Sequence, residues 1–220
     1  MQALEFKTLG ITPYEDCWEL QKQVHREVVE GRRPSIVLLV EHPCVITLGK
    51  HAKTGNILRT EQDLAQQGVK LLRVDRGGDV TAHEPGQLVV YPVLKLASFH
   101  LTPRRLVYLL EQSVIDLAAH FGLTACRLDQ FPGVWVGNAK LAAVGIRIRE
   151  RASYHGLSIN IENTLKTFEN IIPCGISAKN VCSLSSSLER PISVKEAIPP
   201  LLKSLKKNLI LKFLKRGLGK

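Results

Sequence analysis

The sequence predicts an α/β (α+β) fold, a single domain in which helices flank a mixed β-sheet. Three observations carry that expectation. Helical and strand patterns alternate through the first half of the chain, and strands follow one another from Gly133. Of its 220 residues, 45% are hydrophobic, enough apolar surface for one core.

The elements follow in order. Thr12-Pro13-Tyr14-Glu15 reads as a capping box with proline at the first helical position. Cys17, Leu20, Val24 and Val28 continue at helical spacing, and Gly31 ends the helix. Ser35 to Val40 (SIVLLV) is a buried strand by its apolar, β-branched run, and Cys44 to Leu48 returns as another. A short helix spans Glu61 to Gln67 and stops at Gly68, before a strand over Val69 to Val74. The polar, glycine-bearing stretch Asp75 to Gln87 reads as a loop. Gln87 to Leu94 (QLVVYPVL) is a strand whose Pro92 argues for an edge or an end.

Thr102-Pro103 opens the best-marked helix, with Leu106, Leu109, Leu110, Val114, Leu117 and Phe121 in phase and Gly122 closing it. Gly133 to Val136 and Lys140 to Ile148 flank Gly137-Asn138, which is hairpin turn chemistry. Ser153 to Ile161 forms a further strand and Thr164 to Ile171 a short helix. From Pro199 a basic helix is appended, dividing the chain into a body, 1–198, and a tail, 199–220.

Charge and cysteines narrow the function classes. The formal net charge is +10, but Lys203, Lys206, Lys207, Lys212, Lys215, Arg216 and Lys220 supply seven of those charges, with no acid among them. The body is therefore only mildly basic. Such a tail suits an acidic protein, an anionic membrane surface, RNA, or solubility alone. The five cysteines (Cys17, Cys44, Cys126, Cys174 and Cys182) include no C-x-x-C pair, which speaks against a disulfide framework and a structural zinc site. No stretch is long and apolar enough to span a bilayer, and Met1 to Gly10 lacks a secretory pattern, so the expected location is cytoplasmic.

Three segments interrupt apolar strands with reactive or polar residues. Arg76-Gly77-Gly78-Asp79-Val80-Thr81-Ala82-His83 is either an ordinary glycine-rich turn or a backbone made for close approach to a ligand. In Lys140 to Ile148, strict alternation puts Lys140 on one face with Ala142, Val144, Ile146 and Ile148. Its amine either snorkels to water or is partly desolvated and suited to proton transfer. Small residues there, Ala142, Ala143 and Gly145, leave room for a ligand chain. Pro173-Cys174-Gly175 sets a thiol on irregular backbone, where it is either a small buried hydrophobe or a nucleophile. A base must activate it in the second case, and Lys140, His83 and His155 are candidates.

Together these segments resemble the lipoyl (octanoyl) transferase family, lipoate biosynthesis protein B. The resemblance rests on EHPCVITLG (Glu41 to Gly49), RGGDVTAHEPGQLVVYP (Arg76 to Pro92), GVWVGNAKLAAVGIRI (Gly133 to Ile148), HGLSINI (His155 to Ile161) and IIPCGI (Ile171 to Ile176), in that order. It implies the fold of biotin and lipoate ligases. It implies transfer of octanoyl from octanoyl-acyl carrier protein to a lysine of a lipoyl domain, in 2-oxoacid dehydrogenase complexes or the glycine cleavage H protein. By the same resemblance Cys174 carries the acyl thioester and Lys140 is catalytic. Substrate contacts fall on Arg76, Gly77, Gly78, Asp79, Val80, Thr81, Ala82 and His83, on Ala143, Val144 and Gly145, and on His155, Gly156, Leu157 and Ser158. A monomer with no cofactor, no metal and no nucleic-acid partner is expected. Glu84 departs from it, since the family more often has glycine before PGQ. The rival functions are an ATP-dependent lipoate or biotin ligase, a basic RNA- or membrane-binding module, and a cysteine hydrolase.

Overall fold

The computed structural model describes residues 3–173 and 181–211. The chain opens with β1 (Leu4–Ile11), α1 (Tyr14–Val29), β2 (Ser35–Glu41) and β3 (Val45–Leu48). It continues through α2 (Glu61–Gln66), β4 (Lys70–Arg73), β5 (Val80–His83), β6 (Gln87–Val93) and α3 (Pro103–His120). A meander of β7 (Cys126–Leu128), β8 (Phe131–Val136), β9 (Ala139–Arg149) and β10 (Ala152–Asn160) follows, then α4 (Leu184–Leu188) and α5 (Val194–Lys206).

The larger sheet has the order β1-β2-β6-β10-β9-β8-β7. Only β1 and β2 run parallel in it. The smaller sheet, β4-β3-β5, joins a parallel and an antiparallel pair. The mixed α/β expectation therefore holds.

The larger sheet is covered on both faces, which explains the unbroken apolar runs of β2 and β6. One face packs Val37, Leu39, Leu88, Val90, Leu157 and Ile159 against α3 and α5. The other packs Ile36, Leu38, Val40, Val89 and Val93 against Cys17, Val24 and Val28 of α1. A third cluster, with Ile46, Leu48, Leu64, Val80, Ala82 and Phe168, sits on the small sheet.

Several local expectations are corrected. Thr12 is not the cap of α1. The N-cap position falls on Pro13 with no side-chain bond, so Glu15 is the second helical residue rather than the third, out of frame for a capping box. Thr102 does cap α3, accepting from the Arg105 N–H at 3.2 Å. The segment read as a loop from Asp75 contains β5, stabilised by pairing with β3, Thr81 opposite Thr47. Of the two places expected for Pro92, the structure gives the end of β6 and not a sheet edge. β6 lies between β2 and β10, and the proline falls beyond Val90↔Leu157, where the ladder to β10 is interrupted. β1 escaped notice because a partly exposed edge strand carries little apolar signature.

The tail helix also differs from expectation. It starts at Val194, capped by Ser193, and Pro199 and Pro200 lie inside it. Leu201, Leu205 and Leu209 are buried in the main core.

Candidate active site

Both sheets contribute walls to one cavity. From the small sheet come Val80, Thr81 and His83, preceded by Arg76, Gly78 and Asp79. From the large sheet come Val89, Tyr91, Lys140, Ala143, Val144, Gly145, His155, Gly156, Leu157, Ser158 and Asn160. Tyr14, Phe168, Pro173 and Val181 complete the lining. Of the residues singled out in the sequence, Gly77 and Ala82 are not in the wall. Gly77 donates its N–H to Ile146 O at 3.1 Å, and Ala82 faces the small-sheet core. Cys174 lies outside the described residues. Pro173 and Val181, on either side of 174–180, are both in the wall.

Lys140 reaches the cavity by a route that alternation did not predict. Val134 pairs with Ala142 but Trp135 pairs with Lys140, so β9 carries one extra residue at Leu141. A bulge of this kind reverses the parity of everything beyond it. Leu141 and Ala142 both enter the main core, while Lys140 joins Ala143 and Gly145 in the cavity wall. The face-sharing of Lys140 with Ala142, Ile146 and Ile148 is thereby corrected. Lys140 is only 7% exposed, and its Nζ lies 4.8 Å from the Trp135 ring centroid. Its backbone carbonyl accepts from the Cys182 N–H at 3.0 Å.

Glycine is required where the walls close on one another. A Cβ on Gly145 would stand 2.7 Å from Gly77 O, and one on Gly156 would stand 1.8 Å from Val90 O. Arg76 is a structural cation here. Its guanidinium donates to Thr47 O at 2.7 Å, to Thr47 Oγ1 at 3.0 Å and to Gly77 O at 3.0 Å. Asp79 accepts from Lys53 N at 3.1 Å and from Asn56 Nδ2 at 2.5 Å.

Buried polar chains stiffen the cavity floor. His155 Nε2 meets Asp75 Oδ1 at 2.8 Å, its Nδ1 faces the Tyr14 hydroxyl at 3.4 Å, and its own N–H donates to Gln21 Oε1 at 2.8 Å. Those bonds hold His155 at φ 53°, a conformation unusual for a residue with a side chain. Burial works to raise the Asp75 carboxyl, but hydrogen bonds from His155 and Tyr154 outweigh it and hold it at about 2. Burial lowers His155, lowers His83 well below the ordinary histidine range, and lowers His42 to about 4. The cavity histidines are thus neutral at neutral pH.

Glu84 has a defined task. Its buried carboxylate accepts from the backbone N–H groups of Leu165 and Thr167, the latter at 2.8 Å, and from Asn163 Nδ2 at 3.3 Å. It ties the Gln87 turn to the segment that carries Phe168 into the wall. Tyr14, Tyr91, Asn160 and Phe168 were not anticipated as site residues. A tyrosine inside the otherwise apolar QLVVYPVL run was the available signal for Tyr91, since a buried hydroxyl needs a partner. Its partner is His42 Nε2 at 2.8 Å.

The model of the lipoyl protein ligase A/B catalytic domain matches residues 13–206. The chain belongs to that family. An octanoyltransferase of Chloroflexus aggregans is 40% identical over 208 residues, 93% of this chain and 94% of that one. Among solved structures, a lipoate-protein ligase A bound with ATP superposes with a TM-score of 0.73 at 14% identity, covering 93% of this chain and 85% of the other. A biotin protein ligase from Aquifex aeolicus gives 0.55 at 15% identity, covering 98% and 73%. At such identities the two ligases share the fold, which is the one the family resemblance implied.

Proposed function

We propose that this member of the family is an octanoyltransferase of lipoate biosynthesis. It moves octanoyl from octanoyl-acyl carrier protein to a lysine of a lipoyl domain, through a thioester on Cys174, in the cytoplasm. The observation that carries the reading is the buried Lys140 in a cavity whose wall also includes Pro173, the residue bonded to Cys174. The Chloroflexus aggregans octanoyltransferase, 40% identical and matched over 94% of its length, supports the acyl group and the reaction.

The chemistry follows from the side chains. Lys140 takes the Cys174 proton, and the thiolate attacks the carrier thioester. The C–S bond to the carrier breaks, and Lys140 returns the proton to the departing carrier thiol. One thioester replaces another at nearly equal energy. The acceptor lysine then attacks the enzyme thioester, and formation of an amide makes this step downhill, so ATP is not needed. Apolar side chains from Val89, Ala143, Val144, Leu157 and Phe168 supply a lining suited to an alkyl chain. The mildly basic body suits an acidic carrier approaching under electrostatic steering.

Incubation with octanoyl-carrier and an apo lipoyl domain, read by intact mass, tests the reading. The lipoyl domain should gain one octanoyl group without ATP. Gain of octanoyl only from free octanoate plus ATP would establish a ligase instead, and release of free acid a hydrolase.

A further inference from the structure

The transfer reaction has a proton to dispose of, and the Cys174–Lys140 pair does not account for it. In the first half-reaction the thiol proton passes to the carrier thiol, and the enzyme ends as it began. In the second, the acceptor ammonium becomes an amide nitrogen and loses two protons. The C–N bond forms, the C–S bond breaks, and one of those protons restores the Cys174 thiol by way of Lys140. The other needs a second acceptor.

His83 supplies a preset lone pair. Gln87 Nε2 donates to the Ala82 carbonyl at 3.2 Å and to Asn160 Oδ1 at 2.8 Å, and Asn160 Nδ2 in turn donates to Cys182 O at 3.0 Å. These bonds fix the amide, so Gln87 Oε1 is the atom facing His83 Nδ1 at 2.7 Å. Nδ1 must therefore carry the hydrogen, and Nε2 is left as an acceptor. His83 is 4% exposed and lies in the cavity wall. Several buried polar side-chain atoms find no hydrogen-bond partner, and His83 Nε2 is the one that belongs to a described residue of this wall. A buried acceptor without a partner is costly unless a ligand satisfies it. An octanoyl chain has no N–H or O–H to give. The acceptor amine does.

We propose that His83 Nε2 receives a proton from the acceptor lysine during aminolysis of the acyl-enzyme, while Lys140 serves the Cys174 sulfur. The ammonium gives one proton to Nε2 before it attacks, since a nitrogen without a lone pair forms no C–N bond. The second, shed as the C–N bond forms, goes to the Cys174 sulfur by way of Lys140, and the imidazolium keeps its Nδ1–H on Gln87 Oε1. It returns the proton to water once the product leaves. Tyr14, stacked at 5.5 Å, and His42, edge-on at 5.7 Å, are the rings packed against it. This inference rests on the transferase reading.

The test separates the half-reactions. His83→Asn places an amide N–H where Nδ1 stood, keeps the bond to Gln87, and removes the basic nitrogen. Intact mass should show acylation of the variant by octanoyl-carrier slowed far less than its discharge to the lipoyl domain. Discharge to an apo lipoyl domain should slow by about 10²- to 10⁴-fold, the range of a lost general base. Hydroxylamine, a neutral nucleophile at the same pH, should discharge both enzymes within about threefold of each other. Wild-type discharge to the lipoyl domain by the variant would overturn the inference, as would an equal loss toward hydroxylamine. Should His83→Asn fail to melt cooperatively, His83→Gln, which can accept a hydrogen bond but no proton, faces the same criteria. Absence of any acyl-enzyme on the wild type would instead defeat the transferase reading, and with it the premise.

Discussion

The Lys140 Nζ lies 4.8 Å from the centroid of the Trp135 ring, and Trp135 is itself only 1% exposed. An aromatic face stabilises a cation, so Trp135 favours the ammonium that Lys140 becomes on accepting a proton. An arginine can supply charge at this place but cannot give up its proton. Lys140→Arg should therefore keep part of the Cys174 alkylation rate by iodoacetamide yet lose octanoyl transfer by about 100-fold or more. Lys140→Met should lose both while its circular dichroism stays that of the wild type. Near wild-type transfer by Lys140→Arg would reduce the lysine to a charge.

Cysteine substitution provides a second check. Octanoyl-carrier without acceptor should leave one octanoyl group on the enzyme, and Cys174→Ala should abolish it. Cys182→Ala should retain the adduct, because burial pushes the Cys182 thiol up and keeps it protonated. Cys44→Ala should retain it as well. Turnover by Cys174→Ala would end the thioester mechanism.

Acid should destabilise the protein through its buried histidines. His42 is held at about 4 by burial, against an ordinary value near 6.5. The unfolded chain thus binds a proton before the folded one does, and stability is complete above 6.5 and lost as pH falls toward 4. The loss from this group alone is about 3 kcal/mol. His83 and His155 shift in the same direction and add to it. Denaturant midpoints between pH 7 and pH 4 should fall steeply for the wild type and less steeply for His42→Asn. Equal slopes would refute the assignment.

Removing the Glu84 carboxylate should loosen the wall. Glu84→Ala leaves the N–H groups of Leu165 and Thr167 without their acceptor, a cost of about 1–3 kcal/mol for each buried donor. Glu84→Gln keeps one acceptor oxygen but turns the other into an NH2 facing an N–H, because Leu165 and Thr167 donate to different oxygens, so it should recover only part of the loss. Thermal melting of the three proteins decides the point, with KM for octanoyl-carrier expected to rise in the alanine variant as Phe168 loses its anchor.

Truncation after Leu202 should unfold the chain or nearly so. It deletes Leu205 and Leu209, both buried in the main core, and loss of a buried leucine side chain costs about 2–5 kcal/mol. A truncated protein that melts like the full chain would show that the helix merely decorates the body.

Much of this was legible in the sequence because the covered strands announce themselves. SIVLLV, the α3 heptad-like spacing and the GN hairpin each carry a local signal that the tertiary structure does not overrule. What escaped were features decided by distant partners. β5 is polar and short, and it is a strand because β3 lies beside it. The parity of Lys140 was misread because a bulge has no signature in residue identity, only in the pairing of Trp135 and Val134 with their neighbours. Tyr14 reaches the cavity from a helix start far away in sequence, which no local pattern shows.

The strand order also bears on how the chain comes off the ribosome. β6 is buried on both faces, yet one flank is closed only when Val90 meets Leu157, and the helix that seals the far layer is α5. Until the last quarter of the chain has been synthesised, two of the most apolar strands lack a neighbour or a roof. Pairings this remote in sequence are slow to form and leave sticky edges exposed meanwhile. A nascent or fragmented chain ending before β10 would hence be an aggregation hazard and a client for holding chaperones, and it could not yet shape a binding cavity.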